Sequence, residues 1–207
     1  VVIPFADRVV VDSADRDAWL TARRPGLGAS DVASYANESS YPSYVRSKLS
    51  HGSFTGNRHT DRGHRLEGPI LASQGMTLNT LMYRAADNPL HFATPDGIAE
   101  LPGAPGRFRL AQVKTTMHAP GKRVAVPAQH RRQMWWEQYV LGPTVEFTDY
   151  LVLRVDDNGI PLTLEPTRVV FDRDDEQIAK LIRIADMVLP ALTAALAFER
   201  TTTEGQN

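Results

Sequence analysis

Between residues 81 and 116 the chain is cut into short apolar segments by turn-forming residues, and this interruption limits the possible folds most. "LMYRAA", "LHFAT", "DGIAEL" and "RFRLAQVKTT" are separated by Asp87-Asn88-Pro89 and by Pro102-Gly103-Ala104-Pro105-Gly106. Segments this short, bounded by Gly, Pro, Asn and Asp, predict antiparallel strands rather than helices. The flanking pattern is helical. Ser13-Ala14-Asp15 offers an N-cap for "DRDAWLTARR", a second helix opens near Ser30, and "YPSYVRSKLS" suggests a third. Thr60-Asp61 offers a cap for a helix whose Leu66, Ile70 and Leu71 recur at helical spacing.

After the strands, "PAQHRRQMWWEQYVLG" has Pro127 at its start and Gly142 just past its end, the asymmetry expected of a helix. "VEFTDYLVLRV" and "IPLTLEPTRVVF" flank Asp157-Asn158-Gly159, a hairpin turn signal. From Asp174 onward, Ile178, Leu181, Ile182, Ala185, Val188, Leu189, Leu192 and Leu196 form one apolar stripe, with Pro190 expected to kink the helix and "TTTEGQN" expected to fray. The order predicts an α/β (α+β) fold, a central mixed β-sheet flanked by helices. All 207 residues fit one domain: N-terminal helices over 13–75, a sheet core over about 80–116, a helix over 127–141, a hairpin over 145–171 and a last helix over 174–199.

Composition removes several classes of function. There is no cysteine, which excludes disulfides, cysteine zinc sites, iron–sulfur clusters and thiol nucleophiles. The formal net charge is −1, so any nucleic-acid site must be a local basic patch on a neutral molecule. Arg23-Arg24, Arg62-His64-Arg65, Lys122-Arg123 and His130-Arg131-Arg132 are the candidate clusters, with Asp172 to Glu176 among the balancing acids. A solvated face is the plainer reading of such clusters. No run reaches bilayer-spanning length and no signal segment opens the chain, so a cytoplasmic setting and no membrane partner are expected. The six histidines lack H-E-x-x-H spacing, "GLGAS" lacks the G-K-[ST] of a P-loop, and Ser30 lacks a G-x-S-x-G frame.

One strand carries polar residues that need explaining. In "QVKTT", Gln112, Lys114 and Thr116 share a face while Val113 and Thr115 point the other way. A hairpin would bring Asp96, at the start of the preceding strand, beside Gln112. Glu67, on the upstream helix, offers a further carboxylate. Hard oxygen donors with a nearby lysine suit a Mg2+-dependent phosphodiester hydrolase, because the cation acidifies a water and offsets phosphate charge. The plainer alternative is a surface hairpin with unrelated polar groups.

Other stretches extend the pattern. "WLTARRPGLGASDVA" places Arg23 four residues after Trp19 and Ser30 seven further on. "RGHRLEGPI" holds Glu67, "ATPDGI" holds Asp96, "QVKTT" holds Gln112 and Lys114, and "VPAQHRRQMWWEQYVLG" holds Gln133. In this order, over roughly residues 17 to 142, the chain resembles the PD-(D/E)XK nucleases of the lambda-exonuclease and YqaJ-type viral recombinase family.

That resemblance implies a restriction-endonuclease-like core. It also implies Mg2+-dependent 5′-to-3′ resection of linear double-stranded DNA, with Mn2+ as a substitute ion. The products would serve a single-strand annealing protein in phage-type recombination in a bacterial cytoplasm. A ring-shaped homotrimer around DNA is the implied assembly. Carried over by residue, Asp96, Gln112 and the Val113 carbonyl would bind metal, and Glu67 a second metal or an outer water. Lys114 would position the nucleophile, Gln133 would orient a water or substrate oxygen, and Arg23 with Ser30 would hold a 5′-phosphate.

An arginine beside a serine at a helix N-terminus is also a reasonable anion cradle in its own right. The plainer reading has Ser30 as a cap and Arg23 on a solvated face. Trp135 and Trp136 could stack on bases, but at helical spacing the core or a subunit interface is the favoured place for them. His64 is taken as structural.

Gln112 departs from the resemblance, which calls for an acid there. A neutral amide lowers the charge facing the cation, so metal affinity falls or a single ion is used. Three readings follow: a tolerated variant (favoured), a glutamate replaced on purpose, or a weakened protein that binds DNA ends. A related endonuclease or single-strand nuclease is the enzymatic alternative.

Overall fold

The structure is a computed structural model that describes residues 3–50, 58–117, 125–163 and 165–204. In chain order its elements are β1 (Val9–Asp12), α1 (Arg16–Arg23), β2 (Leu27–Gly28), α2 (Ala29–Val32), α3 (Tyr41–Ser50), α4 (Arg58–Ser73), β3 (Thr77–Leu78), β4 (Leu81–Arg84), β5 (His91–Ala93), β6 (Gly97–Leu101), β7 (Ala104–Thr116), α5 (Ala128–Leu141), β8 (Val145–Arg154), β9 (Thr167–Asp172) and α6 (Asp175–Glu204). A five-stranded sheet runs β3-β6-β7-β8-β9 and a four-stranded sheet runs β1-β4-β5-β2. The larger sheet is mixed: β7 and β8 are parallel and its other pairs antiparallel. A parallel pair needs a crossover, and α5 supplies it. Pro127 occupies the N-cap position of α5, and Gly142 (φ 92°) ends it in a conformation that favours glycine.

The faces of β7 divide the molecule. Ala111 and Val113 pack with Ile70 and Leu71 of α4 and with Leu151 and Leu153 of β8. Gln112 and Lys114 pair in register with Tyr150 and Val152, which pack with Met134 of α5. The polar face of "QVKTT" is therefore turned toward α5. Asp149 on β8, fully buried, accepts from Arg109 on β7 (2.7 Å) and from Arg168 on β9 (2.7 Å), tying three strands together.

Several expectations need correction. The strands over residues 81–116 do not form one sheet, since β4 and β5 belong to the smaller one. The switch falls at Pro95, which has no N–H for a ladder. β1, β2 and β3 are four, two and two residues long, too short to leave a periodic signal. The hairpin expected over 145–171 forms, with β8 and β9 antiparallel from Phe147–Asp172 to Val152–Thr167, but its connection, turning at Gly159 (φ 82°), adds only an isolated Val155–Pro161 bridge.

The helix expected at Ser30 is a single turn, α2. The last helix continues through Glu204 with Pro190 inside it, so the threonines expected to fray are helical. Its segment Asp175–Glu199, 25 residues containing an 18-residue window of mean hydropathy 1.8, is by length and composition long and apolar enough to cross a membrane, contrary to the expectation. Its Leu181, Ile184, Ala185, Val188 and Leu192 are nonetheless packed in the protein core.

A buried histidine links the smaller sheet to α5. His91 on β5 is 1% exposed and lies against Trp136, with ring centroids 4.7 Å apart. The Tyr139 hydroxyl donates to Asp87 (2.8 Å), so it accepts from Nδ1 of His91 (3.0 Å). Nε2 is left to accept from the Asn88 amide (3.3 Å). Both nitrogens are used by the neutral ring, and burial, opposed by Asp87, lowers the imidazole pKa to about 4.

Protonation is thus favoured in the unfolded chain as pH falls below the ordinary histidine value. The unfolded state then binds more protons, and folding stability is lost between about pH 6.5 and about pH 4. Urea unfolding of the wild type should show this decline between pH 6.5 and 5, reaching roughly 1–2 kcal/mol. His91→Gln should lower stability at neutral pH and flatten the slope; an unchanged slope would remove His91 as its source.

Candidate active site

Asp96 stands where β6 parts from β7. The last pair of that ladder is Gly97 with Ala111, so the Val113 N–H lies beyond it. The Asp96 carboxylate takes its place: Oδ2 accepts from Val113 N (2.6 Å) and from Gln112 Nε2 (2.6 Å). The local chain is held for this task. Asn79 Nδ2 donates to the Pro95 carbonyl (2.9 Å), and Asn79 N donates to the Asp96 carbonyl (2.9 Å). Gly97 lets α4 approach, since a Cβ there would meet Leu71 Cδ2 at 2.7 Å. Pro-Asp-Gly is thus explained residue by residue as the start of β6.

A carboxylate only accepts hydrogen bonds, so Gln112 must turn its NH2 toward Asp96. Its Oε1 then points elsewhere, and it is buried with no hydrogen-bond partner. Gln112 as a whole is 2% exposed. Leaving such an acceptor dry costs on the order of 1–3 kcal/mol.

From α5, a residue that sequence reasoning passed over faces this group. Glu137 is fully buried; its Oε1 accepts from Gln133 Nε2 (3.1 Å) one turn earlier, while Oε2 has no partner. Burial and the neighbouring Asp96 carboxylate push its pKa well up, against the pull of Gln133 and Lys114. Lys114 also bears on His130, whose imidazole falls to about 4, first through burial and then through that ammonium. His130 Nδ1 lies 2.7 Å from the Tyr150 hydroxyl. Glu137 sits in "QMWWEQYVLG", and the signal that could have found it was an acid between apolar residues on a helix crossing a sheet.

The structure therefore brings Asp96, Gln112, Lys114 and, through Glu137, Gln133 to the α5 side of β7. Glu67 is on α4, whose Ile70 and Leu71 cover the opposite face of that strand. Among the described residues, no three His, Cys, Asp or Glu side chains form a set able to hold a metal ion. The fit to a divalent cation is one of oxygen chemistry: the Asp96 carboxylate and the two partnerless acceptors, Gln112 Oε1 and Glu137 Oε2, are the hard donors that Mg2+ and Mn2+ prefer.

Arg23 and Ser30 also meet. Arg23 Nη2 donates to Ser30 Oγ (2.5 Å), and its guanidinium lies 4.9 Å from the Trp19 ring centroid. Gly28 admits it closely, since a Cβ there would stand 3.1 Å from Arg23 Nε. The cradle already contains an acid. Asp31 pairs with Arg23 (3.0 Å) and Lys48 (2.8 Å), and accepts from Gly28 N (2.9 Å). Burial pushes the Asp31 carboxyl up, yet Arg23 and Lys48 outweigh it and hold the pKa below the ordinary value. Ser30 lies inside α2, whose N-cap is Gly28, so the plainer reading of it as a cap does not hold.

Trp136 is in the core, donating to the Phe92 carbonyl (3.0 Å), and Trp135 packs on Phe171. Arg131 and Lys180 line a cleft beside Trp135. The Lys122-Arg123 cluster and the side chains of Arg62, His64 and Arg65 lie outside the described residues.

With this geometry in place, similarity to known proteins can be judged. No family profile and no curated protein sequence matches the chain. Among solved structures it is similar to LHK-Exo, an alkaline exonuclease from Laribacter hongkongensis, solved also in complex with dAMP. The identity is 18% and the TM-score 0.63, over 92% of this chain and 100% of that one. It is also similar to a phage-related exonuclease from Haemophilus somnus 129PT, at 16% identity and TM-score 0.55, over 78% of this chain and 83% of the other. The chain shares the fold of these proteins: a central mixed sheet between helices, consistent with a restriction-endonuclease-like core.

Gln112→Glu tests the charge balance of the site. It replaces the Nε2 donor by a carboxylate facing Asp96, so the metal-free protein should lose about 2 kcal/mol of stability. Addition of Mn2+ should recover much of that loss in thermal melts. A variant as stable as wild type and indifferent to Mn2+ would remove Gln112 from the site.

Proposed function

We propose that this chain binds DNA ends and hydrolyses phosphodiesters weakly, with a single divalent cation held near Asp96. The carrying observation is the bond from Gln112 Nε2 to Asp96 Oδ2. It puts an amide where a charged oxygen would face the metal, so one acid is lost without the donor cluster being lost. Fold similarity to two exonucleases supports DNA as the substrate.

Asp96 and the Gln112 amide oxygen would hold Mg2+ or Mn2+, which when bound lowers the pKa of a water and screens phosphate charge. Lys114, on the same face of β7, supplies a fixed positive charge for the phosphate oxygens. Gln133 keeps one carboxylate oxygen of Glu137 occupied. The low count of charged donors is the reason for expecting weak catalysis and a need for high cation concentration.

A second reading, preference for a 5′-phosphorylated end, is supported by the contact between Arg23 and Ser30. Asp31 competes for the same guanidinium, so a phosphate must displace part of that pairing. Arg131 and Lys180, beside Trp135, offer positive charge for a DNA backbone.

Linear 5′-phosphorylated duplex and covalently closed circular DNA, each incubated with Mg2+ or Mn2+, test the reading. Binding of the linear form with slow, Mn2+-enhanced loss is expected, and Asp96→Asn should reduce cleavage by at least about 100-fold. Efficient cutting of the circle would instead indicate an endonuclease, and absence of both binding and cutting would refute the assignment. Arg23→Ala should reduce the preference for 5′-phosphate over 5′-hydroxyl ends by roughly tenfold; an unchanged ratio would remove that role.

A further inference from the structure

We propose that the cleft between α5 and α6 is a phosphate-binding site in its own right, with Arg131, Arg132 and Lys180 as the groups that receive the phosphate oxygens. The inference deepens the DNA-binding reading above, and it places this site apart from both Asp96 and the Arg23–Ser30 contact.

The cleft has a volume of about 340 Å³ and is walled by Arg131, Arg132 and Trp135 of α5, Lys180 of α6, Tyr35 and Asp174. That volume falls within the roughly 300–1,000 Å³ of small-ligand sites. Three cations thus meet one acid. The acid is already engaged, since Asp174 Oδ1 accepts from Gln177 N (3.0 Å) at the start of α6. Elsewhere the molecule pairs arginines with carboxylates directly: Arg109 and Arg168 with Asp149, Arg173 with Asp175 and Arg183 with Glu38. Among the described residues, Arg131, Arg132 and Lys180 have no carboxylate partner.

Arg132 is fixed by one of its five N–H groups, Nε donating to the Ala33 carbonyl (2.8 Å). Burial lowers its pKa, Tyr44 opposes this, and the Arg131 guanidinium lowers it further, so the two guanidinium groups feel one another. An anion between like charges relieves that repulsion. A phosphate suits the set, because guanidinium forks match its oxygens and an ammonium adds a point charge. Two wall residues also hold buried polar atoms without a partner, Nε1 of Trp135 and the hydroxyl of Tyr35. An indole N–H can only donate, so this wall calls for an acceptor.

Helix geometry separates the cleft from the catalytic face. Arg131 and Gln133 are two residues apart on α5, about 200° around its axis. Arg131 and Trp135 share one side of the helix, and Gln133 and Glu137 share the other.

Trp19 lies against Arg23 and Trp135 lines the cleft, so fluorine NMR of the whole chain labelled with fluorotryptophan reads the two places separately. The metal-free protein is titrated with inorganic phosphate, with a deoxynucleoside 5′-monophosphate and with covalently closed circular duplex, which has no 5′ end. Phosphate should move the Trp135 resonance. Arg131→Gln with Lys180→Gln should weaken that response at least about tenfold, and Arg23→Ala should leave it in place. Arg131 is exposed, so Arg131→Gln alone provides the same test if the double variant does not fold.

Movement of Trp135 by the closed duplex assigns the phosphate to a DNA strand, and movement by the mononucleotide but not the duplex assigns it to a free phosphate ester. No movement with phosphate, mononucleotide or duplex would overturn the proposal. So would an undiminished response in the folded variants, or the same response to acetate at equal ionic strength. If the response is present but no DNA is cut with Mg2+ or Mn2+, the cleft assignment stands and the nuclease reading fails.

Discussion

The Asp96 carboxylate holds together the end of the sheet on which everything functional depends. At that point β6 has turned away and β7 continues, so the Val113 N–H would be left without a partner. Oδ2 of Asp96 provides one and also takes the Gln112 amide. The same side chain therefore completes the backbone hydrogen bonding of a buried strand and presents negative charge at its exposed end. Removing it disturbs both functions.

The alternation of β7 separates structural from chemical duties. Ala111 and Val113 lock against α4, while Gln112 and Lys114 face α5. The crossover helix is thereby in position to add side chains to the site, and Gln133 and Glu137 lie one turn apart on it. The buried Asp149 with its two arginines shows that this sheet neutralises interior charge elsewhere by direct pairing. Near Asp96, the Lys114 ammonium acts on the buried Glu137 carboxyl.

Much of this arrangement was legible in the sequence. Pro127 and Gly142 bounded α5, Asp15 capped α1 by accepting from Ala18 N, and the 2-residue period of "QVKTT" assigned its polar face. The split into two sheets was not legible, because five of the strands, β1 to β5, have four residues or fewer and are set by tertiary pairing. Among site residues, the strand and its preceding Pro-Asp carried a recognisable spacing. Glu137 carried none: its complete burial comes from the tertiary packing of α5. The Arg23–Ser30 contact was anticipated, but Asp31, which occupies the same guanidinium, was not.

The position of the cation is the central claim, and the anomalous difference map of a crystal grown with Mn2+ tests it most directly. A peak within ligating distance of Asp96 and the Gln112 amide oxygen is the predicted result. A Mn2+ peak bound away from Asp96 would contradict it.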